Sequence, residues 1–202
     1  MICIIDYGLG NLGSIQNMID YIDVDSQITS DPKLITHSNK FILPGVGAFD
    51  TAIKMINSKE GLYESLYEQI ILKKKPILGI CLGMQLFMNK SDEGTEKGFG
   101  WINGEVKRFP KIKSLKVPHM GWNKVCLERK SKLTKDLKND SRFYFVHSYF
   151  VKPKDKKVSI LSTIYPSKFS SAIEKDNIFG VQFHPEKSHT FGTKILKNFA
   201  EL

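Results

Sequence analysis

The chain has 202 residues, 41% apolar and 25% charged, the makeup of an ordinary globular protein, and one domain over residues 1–202 is expected. Its apolar runs are short of a membrane span and the opening "MICIIDYGLGN" carries no basic leader, which argues against a membrane anchor or a signal peptide and leaves a cytoplasmic chain as the expectation. Cys3, Cys81 and Cys126 are scattered without C-x-x-C spacing, and the +9 charge is nearly all lysine, with arginine only at positions 108, 129 and 142; neither a disulfide framework, a zinc knuckle nor nucleic-acid recognition is favoured.

In chain order, "ICIIDY" (Ile2 to Tyr7) reads as a strand covered on both faces. It feeds a helix over Asn11 to Ile22, where Leu12, Ile15, Met18, Ile19 and Ile22 form one stripe. Between the two, Gly8, Gly10 and Gly13 spell G-x-G-x-x-G, and Asp31 stands near the end of the next strand-like run, as in a dinucleotide-binding turn. The alternative is a tight turn with Asn11 as helix cap. Nothing downstream supplies a hydride-transfer site, so an oxidoreductase is the weaker reading. "KFILPG" (Lys40 to Gly45) is a second strand and turn, followed by a helix through "AFDTAIKMI" and another around Leu62 to Leu72. "PILGIC" (Pro76 to Cys81) repeats the pattern.

The second half changes to short strands: "GEVKRF", "WNKVCL", "RFYFVHSYFV", "VSILSTIY", "SSAIEK" and "IFGVQF", before the amphipathic helix "TFGTKILKNFAEL". The fold class expected is α/β, an open, mainly parallel sheet flanked by helices, with antiparallel strands in the second half.

Gly79, Cys81 and Gly83 make G-x-C-x-G at a strand-to-helix turn, parallel to the nucleophile elbow G-x-S-x-G. A helix starting after Cys81 would favour the reactive thiolate with its positive end, and the Leu82 N–H would face a developing oxyanion. A buried, inert cysteine needs neither glycine. Of the five histidines, His184 in "VQFHPEKS" has the company a base needs. Pro185 biases it to extended backbone, and Glu186 lies two residues on, where it can orient the imidazole. His37 and His189 lie in polar surroundings, His119 and His147 have no carboxylate nearby in sequence, and no histidine spacing suits a metal. In "LPGVGAF" (Leu43 to Phe49), Val46 or Gly47 is a candidate second oxyanion donor, because glycines at 45 and 47 free the backbone to turn.

"GICLGMQ" (Gly79 to Gln85) and "FHPEKS" (Phe183 to Ser188) together resemble the class I, triad-type glutamine amidotransferases. Within that family, "DYGLGN", "LPGVGAF", "PHMGWN" and "NIFGVQFHPEKS" are similar to the glutaminase subunits that serve imidazole glycerol phosphate synthesis in histidine biosynthesis, and the likeness spans essentially the whole chain. The resemblance implies a flavodoxin-like fold and no cofactor or metal. It implies a triad of Cys81, His184 and Glu186, with Val46, Gly47 and Leu82 around the oxyanion, and Gln85, Glu93, Ser148 and Tyr149 holding L-glutamine. It further implies ammonia transfer to a (β/α)8-barrel cyclase subunit, docked through Asn11, Trp122, Tyr144 and Lys187. Relatives that supply ammonia for sugar amidination share nearly all these motifs and form the nearest alternative.

Overall fold

The structure is a computed structural model and describes residues 1–113 and 115–202. The first half alternates strands and helices: β1 (Ile2–Ile5), α1 (Leu12–Tyr21), β2 (Ser26–Thr29), α2 (Pro32–His37), β3 (Lys40–Leu43), α3 (Phe49–Ser58), α4 (Leu62–Tyr67), β4 (Ile77–Ile80) and α5 (Leu82–Gln85). The second half is mostly strand: β5 (Lys90–Ser91), β6 (Gly104–Arg108), β7 (His119–Lys124), β8 (Cys126–Leu127), β9 (Arg142–His147), β10 (Tyr149–Pro153), β11 (Ser159–Ile164), β12 (Lys168–Lys175) and β13 (Ile178–Val181), closed by α6 (His189–Ala200).

Eight strands form the main sheet in the order β2-β1-β3-β4-β13-β12-β11-β8. The first five run parallel, and β12, β11 and β8 extend the sheet antiparallel. Every residue of β1, β4 and β13 is buried, the condition in which strands read as unbroken apolar runs. Side chains alternate between two cores: Cys3, Ile5, Phe41 and Leu43 enter one, while Ile2, Ile4 and Ile42 enter the other. Helix α1 closes the second core with Ile15 and Ile19, each worth about 1.5–3 kcal/mol when fully buried. Ile195, Leu196 and Phe199 of α6 cover the same face. Among the described residues no helix is long and apolar enough to cross a membrane.

Several expected boundaries move. The helix expected over Leu62 to Leu72 turns from α geometry at Tyr67 to a π-helical stretch over Glu68–Leu72. "WNKVCL" is broken: β7 ends at Lys124, and Cys126–Leu127 leave to pair with β11. "RFYFVHSYFV" also divides, at Ser148. β9 pairs with β7 in a two-stranded ribbon, and β10 pairs with β6 in a three-stranded sheet. A continuous β-rich run gives no sign of where a strand changes partners, because local pattern reports burial and not pairing.

Candidate active site

Strands β4 and β13 are parallel neighbours, with Gly79 opposite Gly180 and Ile80 opposite Val181. Their carboxyl ends therefore open at the same edge, and the Cys81 N–H donates to the Val181 carbonyl at 2.8 Å. Cys81 has φ +54°, a region that costs a non-glycine residue about 1–3 kcal/mol. The sharp reversal it makes is held by glycine on both sides. A Cβ on Gly79 would lie 2.6 Å from the Met84 nitrogen and 2.6 Å from a Phe87 ring carbon, and one on Gly83 would run into the Leu43 carbonyl oxygen. The G-x-C-x-G spacing is thus a packing requirement of the elbow. The helix expected behind it is a single turn, α5, Leu82–Gln85. A turn of that length sums few peptide dipoles, so the electrostatic help expected at the sulfur from a full helix is corrected to a minor one.

His184 follows β13, its N–H donating to the Tyr144 carbonyl at 2.9 Å. Its Nδ1–H donates to Oε1 of Glu186 at 2.8 Å, with both side chains sealed from solvent. Its Nε2 is buried and makes no hydrogen bond of normal geometry. Burial opposes the charged ring, but the adjacent Cys81 side chain and the Glu186 carboxylate outweigh it and push the His184 pKa up to about 10.

Around this pair lies a cavity of about 290 Å³ lined by Val46, Gly47, Cys81, Leu82, Gln85, Glu93, Pro118, Val146, His147, Ser148, Tyr149 and His184. The expected oxyanion and glutamine-holding residues all reach it. The Gly45 to Gly47 loop is set by Tyr7, whose hydroxyl donates to the Pro44 carbonyl at 2.7 Å, and Gly47 has φ +100°. A larger open cleft of about 820 Å³, along Leu127 to Leu137 and Glu174, has no cysteine or histidine in its wall among the described residues.

Three features of the site were not foreseen. Gln182 Nε2 donates to the Cys81 sulfur at 3.6 Å and Gln182 Oε1 accepts from Gln85 Nε2 at 3.2 Å. Gln85 Nε2 also donates to the Tyr149 carbonyl at 3.1 Å, so both of its amide hydrogens are engaged. Gln182 sits two residues from His184 in the same motif, and strand alternation was the available signal, since i and i+2 share a face. Second, His119 and His147, unpaired by sequence, meet at 2.9 Å between Nδ1 and Nε2. His147 Nδ1 contacts the Tyr149 carbonyl at 2.7 Å and Asn123 Nδ2 contacts His119 Nε2 at 3.1 Å. Neutral rings satisfy every contact if Asn123 donates to His119, His119 to His147, and His147 to Tyr149. Burial accordingly lowers the His119 pKa to about 4 and, with the neighbouring histidines, that of His147 to about 3. Third, the Asp50 carboxylate binds the loop that carries Glu93.

The dinucleotide reading fails on geometry. Asp31 caps α2, its carboxylate accepting from the Lys33 N–H at 2.8 Å. Gly13 has open space where a Cβ would stand, so no close helix-to-sheet packing requires it. Asn11 occupies the cap position of α1 without a side-chain capping bond. Among the described residues no group of three His, Cys, Asp or Glu side chains is disposed to hold a metal ion.

Of the expected docking residues, Trp122, Tyr144 and Lys187 form one cluster. The Trp122 and Tyr144 rings meet edge-on at 6.2 Å, Lys187 Nζ lies 5.7 Å from the Tyr144 ring centre, and Trp122 stacks on His189 at 5.4 Å. Asn11 is exposed at the head of α1, which packs against the Pro185–Lys187 turn.

The family model for class-I glutamine amidotransferases matches residues 3–202. The chain is 54% identical over 200 residues to "Imidazole glycerol phosphate synthase subunit HisH 2" of Methanococcus maripaludis, covering 98% of each chain. It is 46% identical over 202 residues, the whole of both chains, to the protein of that name from Pseudomonas aeruginosa. Among solved structures, one described as a glutamine amidotransferase superposes with a TM-score of 0.78 at 13% identity, over 100% of this chain and 98% of that one, a likeness of fold. An elbow cysteine facing a carboxylate-held histidine across β4 and β13, together with relatives of this closeness along their full length, means that the chain belongs to the class-I glutamine amidotransferases, in the family of HisH subunits of imidazole glycerol phosphate synthase.

Proposed function

We propose that this chain hydrolyses L-glutamine through Cys81, His184 and Glu186 and passes the ammonia to a cyclase subunit that makes imidazole glycerol phosphate for histidine biosynthesis. The Cys81 sulfur attacks the side-chain amide carbon, forming the thioester as the C–N bond breaks. His184, having taken the thiol proton, delivers it to the departing nitrogen and then activates the water that releases glutamate. Glu186 holds the ring in one orientation and balances its charge. The oxyanion is met by the backbone at Leu82 and at Val46 or Gly47, and Gln85, Glu93, Ser148 and Tyr149 hold the substrate. Among the described residues Glu93 is the only carboxylate in the cavity wall, which suits the α-ammonium group.

Ammonia in neutral water would be protonated and lose its nucleophilicity, so it must pass directly into the partner. The partner is read as a (β/α)8 barrel that docks on Trp122, Tyr144, Lys187 and Asn11 to form a heterodimer in the cytoplasm, with no role for nucleic acid, membrane, metal or cofactor.

The observation that carries this reading is that Cys81, on its strained turn, and His184, held from behind by Glu186, line one cavity. Its test is Cys81→Ala assayed with the cyclase partner. Glutamine-driven synthesis is expected to vanish while synthesis driven by ammonium salt persists; retained glutamine-driven synthesis would reject the catalytic role, and loss of both would point to a part for Cys81 in folding or docking. Rescue of a histidine auxotroph separates this pathway from sugar amidination.

A further inference from the structure

The segment that bears Glu93 has little structure of its own, yet it is held at four points by the start of one helix. Glu93 Oε2 accepts from the Phe49 N–H at 2.9 Å, at the first residue of α3 and directly beyond the Gly45 to Gly47 loop. One residue on, Asp50 grips the other side of the turn. Its Oδ2 accepts from the Thr95 N–H at 2.9 Å and from the Thr95 hydroxyl at 3.4 Å, and its Oδ1 accepts from the Glu96 N–H at 3.0 Å. Gly94 lies against that carboxylate so closely that a Cβ there would collide with it. Lys54, one turn along α3, adds an ion pair to Glu96 at 3.6 Å.

We infer that Asp50 is a positioning residue for amino-acid recognition: by clamping the backbone of 94–96 it presents the Glu93 carboxylate to the substrate's α-ammonium and ties that contact to the oxyanion loop. The inference rests on the reading of Glu93 as a glutamine-holding residue. A carboxylate in a short loop would otherwise sample many rotamers, and the clamp removes that freedom before substrate arrives. Charge points the same way. Asp50 and Glu93 approach each other around the first turn of α3, and burial followed by the Asp50 charge raises the Glu93 pKa, against the Phe49 N–H. A cation bound at Glu93 relieves that repulsion, so the pair favours an ammonium-bearing substrate over a neutral one.

The experiment compares L-glutamine with 5-amino-5-oxopentanoate, the same amide without the α-amino group, in the complex with its partner. Asp50→Asn keeps the shape of the side chain but sets an NH2 group against a backbone N–H. The expected result is a KM for glutamine raised about tenfold or more, kcat within about twofold of the parent, and unchanged kcat/KM for the des-amino amide. Gly94→Ala, which crowds the same carboxylate, is expected to repeat the pattern. Equal losses on both amides, or no change on either, would overturn the inference. Glu93→Gln is the control on the underlying reading. If it leaves the preference for glutamine intact, that reading fails and the inference falls with it; if it abolishes the preference while Asp50→Asn does not, only the role of Asp50 is rejected.

Discussion

His184 and Glu186 stand two residues apart and share a 2.8 Å hydrogen bond with 3% and 2% of their side chains exposed. Glu186 Oε2, the oxygen not used in that bond, is buried without a partner. A carboxylate so placed is tolerable only beside a positive charge, and the imidazolium is the charge available.

Glu186→Gln keeps the shape and removes the charge. The His184 pKa, pushed up to about 10 in the parent, is expected to fall well below that, because burial then acts with less opposition. NMR titration of the ring measures this directly, and kcat for glutamine should drop roughly 10- to 100-fold with an altered pH profile. An unmoved titration would reject the assigned task. His184→Ala strands the carboxylate instead and should cost about 3–5 kcal/mol of stability, as breaking a buried pair does.

The His119–His147 pair sets an acid limit. Both have folded pKa values below the ordinary 6.5, at about 4 and about 3, so the unfolded chain binds more protons and stability declines as pH falls below about 6.5. The His184 contribution, from a raised pKa, is fully present below 6.5 and is lost only as pH rises through about 10, so it adds no slope there. The lowered carboxyls of Asp50, Glu105 and Glu128 act only below their ordinary 3.8 and 4.5. Glu93, raised above its ordinary 4.5 by burial and the Asp50 charge, gives a slope of the opposite sign just above that value, so the histidines, each steepening the fall by up to about 1.4 kcal/mol per pH unit, are read from the difference in urea midpoints between parent and variant from pH 6.5 to 5. His147→Gln should flatten that slope, and an unchanged slope would show that the pair does not titrate as described.

Alanine at two glycines should have opposite effects. Gly83→Ala drives a methyl into the Leu43 carbonyl and is expected to destabilise by about 1–3 kcal/mol or more while displacing the elbow. Gly13→Ala meets nothing and lies in α1 without a positive φ, so a gain of about 0.5–1 kcal/mol is expected. Thermal unfolding of the two variants measures both.

Trp122 is 47% exposed within an aromatic cluster beside Tyr144 and His189. Aromatic anchors of this kind carry much of the energy of an interface, so Trp122→Ala should weaken partner binding by about 2 kcal/mol or more, near thirtyfold, with little change in Tm. Calorimetric titration with the partner would show it; undiminished affinity would place the docking surface elsewhere.

Features that depend on neighbours along the chain were legible in the order of the amino acids. Buried parallel strands showed as apolar runs at Ile2 to Ile5 and Ile77 to Ile80. The elbow showed in Gly79, Cys81 and Gly83, because the atoms that exclude a side chain at 79 are only four to eight residues away. His184 and Glu186 showed because they are two residues apart, although Glu186 reaches the ring from a 3-10 turn over Pro185–Lys187 and not from the extended backbone expected; only His184 itself is extended. Which distant segments meet became visible only in the folded chain. Gln182 reaches Cys81 across 101 positions, Thr95 reaches Asp50 across 45, and His147 reaches His119 only because β9 pairs with β7 and then breaks at Ser148. Contacts of that kind follow from strand register and loop closure, which many local patterns satisfy equally well and only the cooperative packing of both faces of the sheet makes unique.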